Sequence, residues 1–443
     1  KGYYIYRPEG SPKLKYGGVA PSGHLPSGIN FPLTKAEESA PFDILCLGDS
    51  QPRDLMEVHY FAQDLVAELK GSDAAFGITL GDLVFDNLSM FEPMAQATGM
   101  IGVPWHYVLG NHDMDFDTPT WQQAYETYQG FFGPTYYAFA YGNTHVFVLN
   151  NIRWDVQERK YHGEFGERQL NFVANYLKHV PKDHLLIFTM HIPIMKVDDK
   201  VAFFNLFQDY PNAVSLSAHW HRHQHYLLGK EDGWPGQKPH HHVVHGTACG
   251  SWYRGHYDAV GIPRAVMDDG TPKGYSIITV DDDGRYSMNY RATRRPTSYQ
   301  MDIYAPPSVA ADAISDTEVI VNFFNGTPKC ELEMRLNNGP WMSMEQFTGK
   351  APFYTELYGR QELFLRKVAG VRGLAHADEK TIRKIEDEFR PVMGRGQPDP
   401  SDTAHLWRAK LTGSTTPGYN TIEVRAQDMF GNTHEAVRYI RVR

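Results

Sequence analysis

The sequence predicts an α/β chain, a layered sheet with helices, followed by a mainly-β C-terminal region. Two observations carry this. Between Phe42 and about residue 291, apolar runs alternate with stretches of helical periodicity. Beyond about Ala292 the runs are short, alternate in polarity and are separated by turn signals, as in a β-sandwich. The length of 443 residues leaves room for two or three domains and a large core. The expected divisions are 1–40, a remnant or linker of an upstream β domain; 41–291, the α/β domain; and 292–443, the sandwich-like domain.

The N-terminal segment holds one strand-like stretch, "YYIY", then the passage "PEGSPKLKYGGVAPSGHLPSG", whose Gly, Pro and Ser read as a linker. "FDILCLGDSQ" is an apolar run that ends in polar residues. In the following "RDLMEVHYFAQDLVAELK", Leu55, Val58, Ala62, Leu65, Val66 and Leu69 form a helical stripe, and Asp54 with Glu57 forms a capping box. The alternation continues through "AAFGITLGD", a helix near 88–99, "PWHYVLGNHD" and a helix around 119–130. "TYYAFAYGNTHVFVLNN" predicts a hairpin turning at Gly142-Asn143. A helix near 167–179, "HLLIFTMHIP" and "AVSLSAHWH" complete the α/β part. In the C-terminal part "EVIVNFFNG", "CELEMRL", "NTIEVRAQD" and "AVRYIRVR" read as strands, interrupted by a polar helical insert near 376–390.

Composition narrows the function. The chain is 42% hydrophobic and 21% charged, and no apolar run approaches the length of a membrane span. A net charge of −9, from 43 Lys+Arg against 52 Asp+Glu, argues against a dedicated nucleic-acid surface. Cys46, Cys249 and Cys330 lie too far apart for a disulfide framework or a CxxC knuckle. The first residue, Lys1, leads to the expectation that a signal peptide, domain or tag lies upstream.

Five apolar runs end in groups able to ligate a metal: Asp49 and Gln51; Asp82; Asn111 and His112; His191; His219 and His221. In open α/β sheets ligands bind at the carboxyl ends of strands, so these groups can converge on one rim. Mixed oxygen and imidazole donors suit divalent first-row ions. In "SAHWHRHQH" the alternation of His219, His221, His223 and His225 could aim a row of rings to one side of a strand.

The order "GDSQ…GDLV…GNHD…MHIP…AHWH" resembles the calcineurin-like metallophosphoesterases over roughly residues 42–291. The layout is similar to a bacterial subgroup with flanking N-terminal and C-terminal β domains. The resemblance implies a layered β-sandwich core flanked by helices and a centre of two divalent ions, Mn, Fe, Zn or Mg. It implies that Asp49, Gln51 and His221 hold the first ion, that Asp82 bridges, and that Asn111, His191 and His219 hold the second. His223 and His225 are then expected to be partly exposed and outside the centre. Two such ions clamp a phosphoryl group and lower the pKa of a bridging water. With two carboxylates and a hydroxide the centre is about one unit positive, which attracts an anionic ester. His112 would overhang the metals as acid or charge stabiliser, with Asp113 or Asp86 orienting it. The family's phosphoprotein phosphatases place an Asp where Phe85 stands, and purple acid phosphatases a Tyr, so no purple chromophore is expected. Gln51 replaces the more usual His, a harder donor that tilts the first site toward Mn²⁺, Mg²⁺ or Fe²⁺.

The aperiodic "CGSWYRGHYDAVGIPRAVMDDGTPKG" resembles a loop bordering the site in that subgroup. There Trp252 and Tyr253 can stack on a base or sugar, or pin the loop, and Arg254 can pair with a phosphate. Contiguous His240, His241 and His242 cannot all face one ion from a strand and are expected in a surface or core role, and Cys249 as a packed residue. Trp341 and Trp407 are expected in the sandwich core. The expected activity is hydrolysis of phosphate mono- or diesters, in an extracytoplasmic location that the subgroup implies. The alternative is a binding or adhesion protein on a disabled phosphatase scaffold. An amidase or peptidase would need an HExxH-like motif, which is absent.

Overall fold

The structure is a computed structural model that describes residues 3–4, 34–35, 38 and 40–443. Tyr3–Tyr4 pairs antiparallel with Thr34–Lys35, and the Gly/Pro/Ser-rich passage lies outside the described residues. The chain divides into two compact units. The first comprises residues 1–221, 226–249 and 275–289, and the second residues 222–225, 250–274 and 290–443.

The first unit is built on two sheets. Its strands are β1 (Phe42–Leu47), β2 (Phe76–Thr79), β3 (Trp105–Tyr107), β4 (Tyr137–Tyr141), β5 (Thr144–Val148), β6 (Leu185–Thr189), β7 (Ala213–Ser217), β8 (Gln224–Leu228), β9 (His240–Val244), β10 (Gly274–Val280) and β11 (Tyr286–Ala292). One sheet has the order β11-β10-β1-β2-β3 and the other β8-β9-β7-β6-β5-β4. β1, β2 and β3 run parallel, as do β5, β6, β7 and β9. Parallel strands are covered on both faces, which explains why every residue of β2, β5 and β6 is buried. The two sheets meet through aromatic rings: Phe76 of β2 stands edge-on to Phe139 of β4 at 5.2 Å, and Phe42 lies 4.6 Å from Tyr141. This is the layered sandwich with flanking helices.

The helix Leu55–Phe61 starts where expected, with the Asp54 carboxylate accepting from the Glu57 amide at 3.0 Å. The box is half formed, because the Glu57 carboxylate accepts from the Arg53 amide and guanidinium instead. A π-helical turn, Ala62–Val66, carries the helix on to Leu69. Val58, Leu65, Val66 and Leu69 are buried in one core with Phe91 and Trp105, whereas Leu55 is exposed. The second sheet is covered by helices Glu167–Leu177 and Lys200–Phe207, whose Val173, Phe203 and Phe207 share a core with Phe188. The hairpin β4–β5 turns at Gly142, whose φ of 55° suits glycine.

The second unit is mostly β. It holds a four-stranded and a five-stranded sheet around one core that includes Val321, Phe323, Met334, Trp407 and Val424. Trp407 is thus core. Trp341 is not: its ring is half-buried between the guanidinium groups of Arg335 and Arg425, at 4.6 and 4.3 Å. The insert is larger than its sequence suggests. Helix Pro352–Val371 precedes the expected one, Glu379–Met393, and the two share a small core of Leu365, Ala369 and Ile385. The weak amphipathic pattern of the first helix hid it. Among the described residues, no helix is long and apolar enough to cross a membrane.

Candidate metal centre

Each candidate ligand follows directly on a parallel strand of the first unit. Asp49 and Gln51 follow β1, Asp82 follows β2, Asn111 follows β3, His191 follows β6, and His219 and His221 follow β7. The loops that carry them are short because the backbone turns sharply, and three of them do so at non-glycine residues with positive φ. Gln51 has φ 41°, Asp82 49°, His219 70° and His221 49°. Left-handed backbone is costly for such residues and collects where function demands it.

The side chains converge. One oxygen or nitrogen each of Asp82, His191 and His219 lies within 4.8 Å of the others. His191 Nε2 is 3.2 Å from Asp82 Oδ2, 3.0 Å from Asn111 Oδ1 and 3.2 Å from His219 Nδ1. Its Nδ1 donates to the Leu80 carbonyl at 2.8 Å, which fixes the tautomer and leaves Nε2 as the donor atom. On the other side, Asp49 Oδ2 faces His221 Nε2 at 3.1 Å, and Asp49 Oδ1 accepts from the His219 amide. Gln51 Nε2 reaches Asp82 Oδ2 at 3.0 Å. The amide would coordinate through its oxygen, a half-turn about its last bond. Every one of these side chains except His219 is buried.

Two glycines explain the "GD" and "GN" motifs. A Cβ on Gly110 would lie 1.9 Å from the Asp82 amide nitrogen, and one on Gly81 would lie 2.5 Å from His191 Nδ1. Both permit the strand ends to approach closely enough to share ligands.

Crowded carboxylates and imidazoles shift one another. Burial opposes charge on Asp82, yet His191 and His112 outweigh it and hold the carboxyl well below the usual range. Burial likewise disfavours a charged His191, but Asp82 and Asp49 push its pKa up to about 9. His219 is pushed down to about 4 by burial and by the charge on His191. For His221, burial is outweighed by the sulfur of Cys249 and by Asp49, and its pKa is raised. Two carboxylates, three imidazoles and the amide oxygens of Gln51 and Asn111 form a donor set that fits hard to borderline divalent cations.

Of the two carboxylates expected to orient His112, Asp86 makes the contact. Its Oδ1 is 2.6 Å from His112 Nδ1, and the imidazole stacks on Phe85 at 4.5 Å, with Arg53 on that ring's other face at 4.3 Å. The charges of Asp82 and Asp86 overcome burial and raise the His112 pKa. Asp113 has a different task. Its carboxylate accepts from the amides of Leu83, Val84 and Gly110, tying the loop after β2 to the loop after β3. Burial first, and then the charge of Asp82, push its pKa to about 7.

Other expectations meet different outcomes. His223 and His225 are not partly exposed: both are buried, with Nε2 3.1 and 2.8 Å from Asn325 Oδ1. Rings alternating along one segment found a polar core instead of solvent. His240, His241 and His242 are also buried, and His240 and His242 share the Ser215 hydroxyl. Cys249 is packed 3.9 Å from both Gln51 Oε1 and His221 Nδ1. Trp252, Tyr253 and Arg254 belong to the second unit. There Tyr253 is buried, Arg254 lies 5.2 Å over the Trp252 ring, and Trp252 and Tyr253 have φ of 55° and 51°.

Sequence reasoning missed Asn151. Its Oδ1 accepts from the amides of His191 and Ile192 and its Nδ2 donates to the Ile192 carbonyl at 2.7 Å, so it sets the turn that presents His191. The signal was available, since "LNN" also closes an apolar run after β5.

Residues 242–382 match a family described as the C terminal of calcineurin-like phosphoesterase. Similar solved structures include a purple acid phosphatase from yellow lupin (Lupinus luteus) seeds, with a TM-score of 0.42 and 16% identity. That match covers 58% of this chain and 52% of the lupin chain, so the chain spans about half the length of that relative. A phosphopantetheinyl hydrolase from Mycobacterium tuberculosis matches with a TM-score of 0.29 and 10% identity, over 47% of this chain and 90% of its own. No curated protein matches the chain.

Proposed function

We propose that the chain, whose residues 242–382 match the C-terminal family of calcineurin-like phosphoesterases, is a calcineurin-like metallophosphoesterase that hydrolyses phosphate mono- or diesters at a centre of two divalent ions. The observation that carries this reading is the convergence of Asp82, His191, His219 and Asn111 on one side and Asp49 and His221 on the other. Asp49, Gln51 and His221 would hold one ion, Asn111, His191 and His219 the other, with Asp82 between them. Such ions, when bound, supply charge against the phosphoryl oxygens and lower the pKa of a coordinated water.

The chain's own residues do the rest. Leu80 and Asn151 aim His191. The contact with Asp86 and the stack on Phe85 hold His112 with Nδ1 engaged, so Nε2 is the atom offered to the substrate. From there it can donate to a phosphoryl or leaving-group oxygen.

Turnover of an aryl phosphate and a bis-aryl phosphate is expected to vanish on chelation and return with Mn²⁺. Stoichiometric metal with no turnover of any phosphoester would overturn the enzymatic reading in favour of a binding scaffold. His112→Ala is expected to lower kcat by about 10²–10³-fold with metal content unchanged. Metal should persist because His112 meets Asp82 through its backbone amide at 2.9 Å, which alanine keeps. Loss of metal in that variant would place His112 in the cation cage.

A further inference from the structure

Beside the metal centre, within the first unit, lies a cavity of about 410 Å³ whose lining includes Trp121, Tyr125, Gln129, Tyr136, Asn150 and Arg153. Its volume is within the range of small-ligand sites. Its wall is shared with the centre: Asn150 and Ile152 line the cavity, and Asn151 between them positions His191. The hairpin that continues this wall, Ile152–Asp155 with Lys160–Gly163, brings Tyr161 edge-on to His219 at 5.9 Å.

We propose that this cavity binds a neutral polyhydroxylated ring, a sugar or cyclitol. That the ring is the alcohol part of a phosphoester rests on the phosphoesterase reading above.

Three features select this chemistry. The first is charge. Arg153 is held by Glu164 at 2.6 Å and lies over Trp121 at 3.8 Å, and Arg168 in the lining is offset by Glu167, so the cavity has no net pull on an anion. The second is a polar wall. Gln129 and Thr135 line the cavity with an amide and a hydroxyl, groups that pair with ring hydroxyls, whereas the neighbouring Gln169 amide is already spent on Asn150 and Phe165. The third is ring geometry. Arg153 occupies one face of Trp121, Tyr125 stands edge-on to Trp121 at 6.2 Å, and Tyr136 stands edge-on to Phe172 at 5.4 Å. Small ring patches suit the C–H faces of a saturated ring better than the broad stack a nucleobase needs.

The test is saturation-transfer NMR and calorimetry on the full chain with D-glucose, myo-inositol, uridine and inorganic phosphate, each with and without chelator. One of the two polyols is expected to bind with Kd of about 1 mM whether or not metal is present. Trp121→Ala and Gln129→Leu are each expected to weaken that binding about tenfold or more. Trp121 is 37% exposed, so its removal should leave the fold intact, which a thermal melt checks. Absence of polyol binding, tighter binding of uridine, phosphate competing for the same cavity, or binding indifferent to both variants would each overturn the proposal. Polyol binding in a chain that turns over no phosphoester would sustain this proposal and sink only the enzymatic reading.

Discussion

Asp82→Asn is expected to cut phosphoester turnover by about 10³-fold, some 4 kcal/mol of barrier, in a protein that still folds. Asparagine keeps the shape of the side chain and one acceptor oxygen, so it can still receive either the His112 amide or the Gln51 amide. What it removes is one of the two negative ligands and the charge that holds His191 in place at 3.2 Å. Metal content should fall with the activity, because an amide oxygen is a far weaker bridge between cations than a carboxylate. Kinetics on an aryl phosphate, metal analysis and circular dichroism of one preparation decide it. Activity within tenfold of the parent, with full metal, would remove Asp82 from the centre.

Gly110→Ala is expected to be as damaging, although it removes no ligand. The new Cβ would fall 1.9 Å from the Asp82 amide nitrogen and 2.6 Å from its Cα, backbone atoms that cannot swing aside, and 2.2 Å from Asp82 Oδ1. The loops after β2 and β3 must separate, which breaks the bonds from Asp113 to Leu83 and Val84 or the bond to Gly110 that now staple them. Overpacking of this kind costs about 1–3 kcal/mol, so a melting temperature lower by several degrees should accompany the loss of metal and turnover. The control is Gly130→Ala, a helical glycine with nothing within 4 Å of its added Cβ. If Gly110→Ala bound metal and turned over substrate like that control, the close approach of the two loops would have no part in the function.

Much of this site was legible before any coordinates. Apolar runs that end in Asp, Asn or His mark strands whose carboxyl ends carry polar groups, and the parallel order of such strands brings those ends to one side. The identity and order of the candidate ligands are therefore read locally. Partnerships are not. That Asp86 and not Asp113 holds His112, that Asn151 sets the His191 turn, and that Phe85 is a stacking platform all depend on segments tens of residues apart. The fate of "HWHRHQH" shows the same limit. Alternation predicts which rings share a side but not what lies there, and for His223 and His225 it was Asn325, 102 and 100 residues away.

The sequence by itself determined the alternation of strand and helix, the positions of the candidate ligands at strand ends and the glycines that let strand ends approach. These follow from periodicity and backbone sterics, which act over a few residues. Only the tertiary structure decided which carboxylate meets His112 and which ties the loops together, which histidines converge with Asp49 and Asp82 and which are core, and where a cavity opens. Those outcomes depend on burial and on partners distant in the chain, and no short stretch of residues encodes its own surroundings.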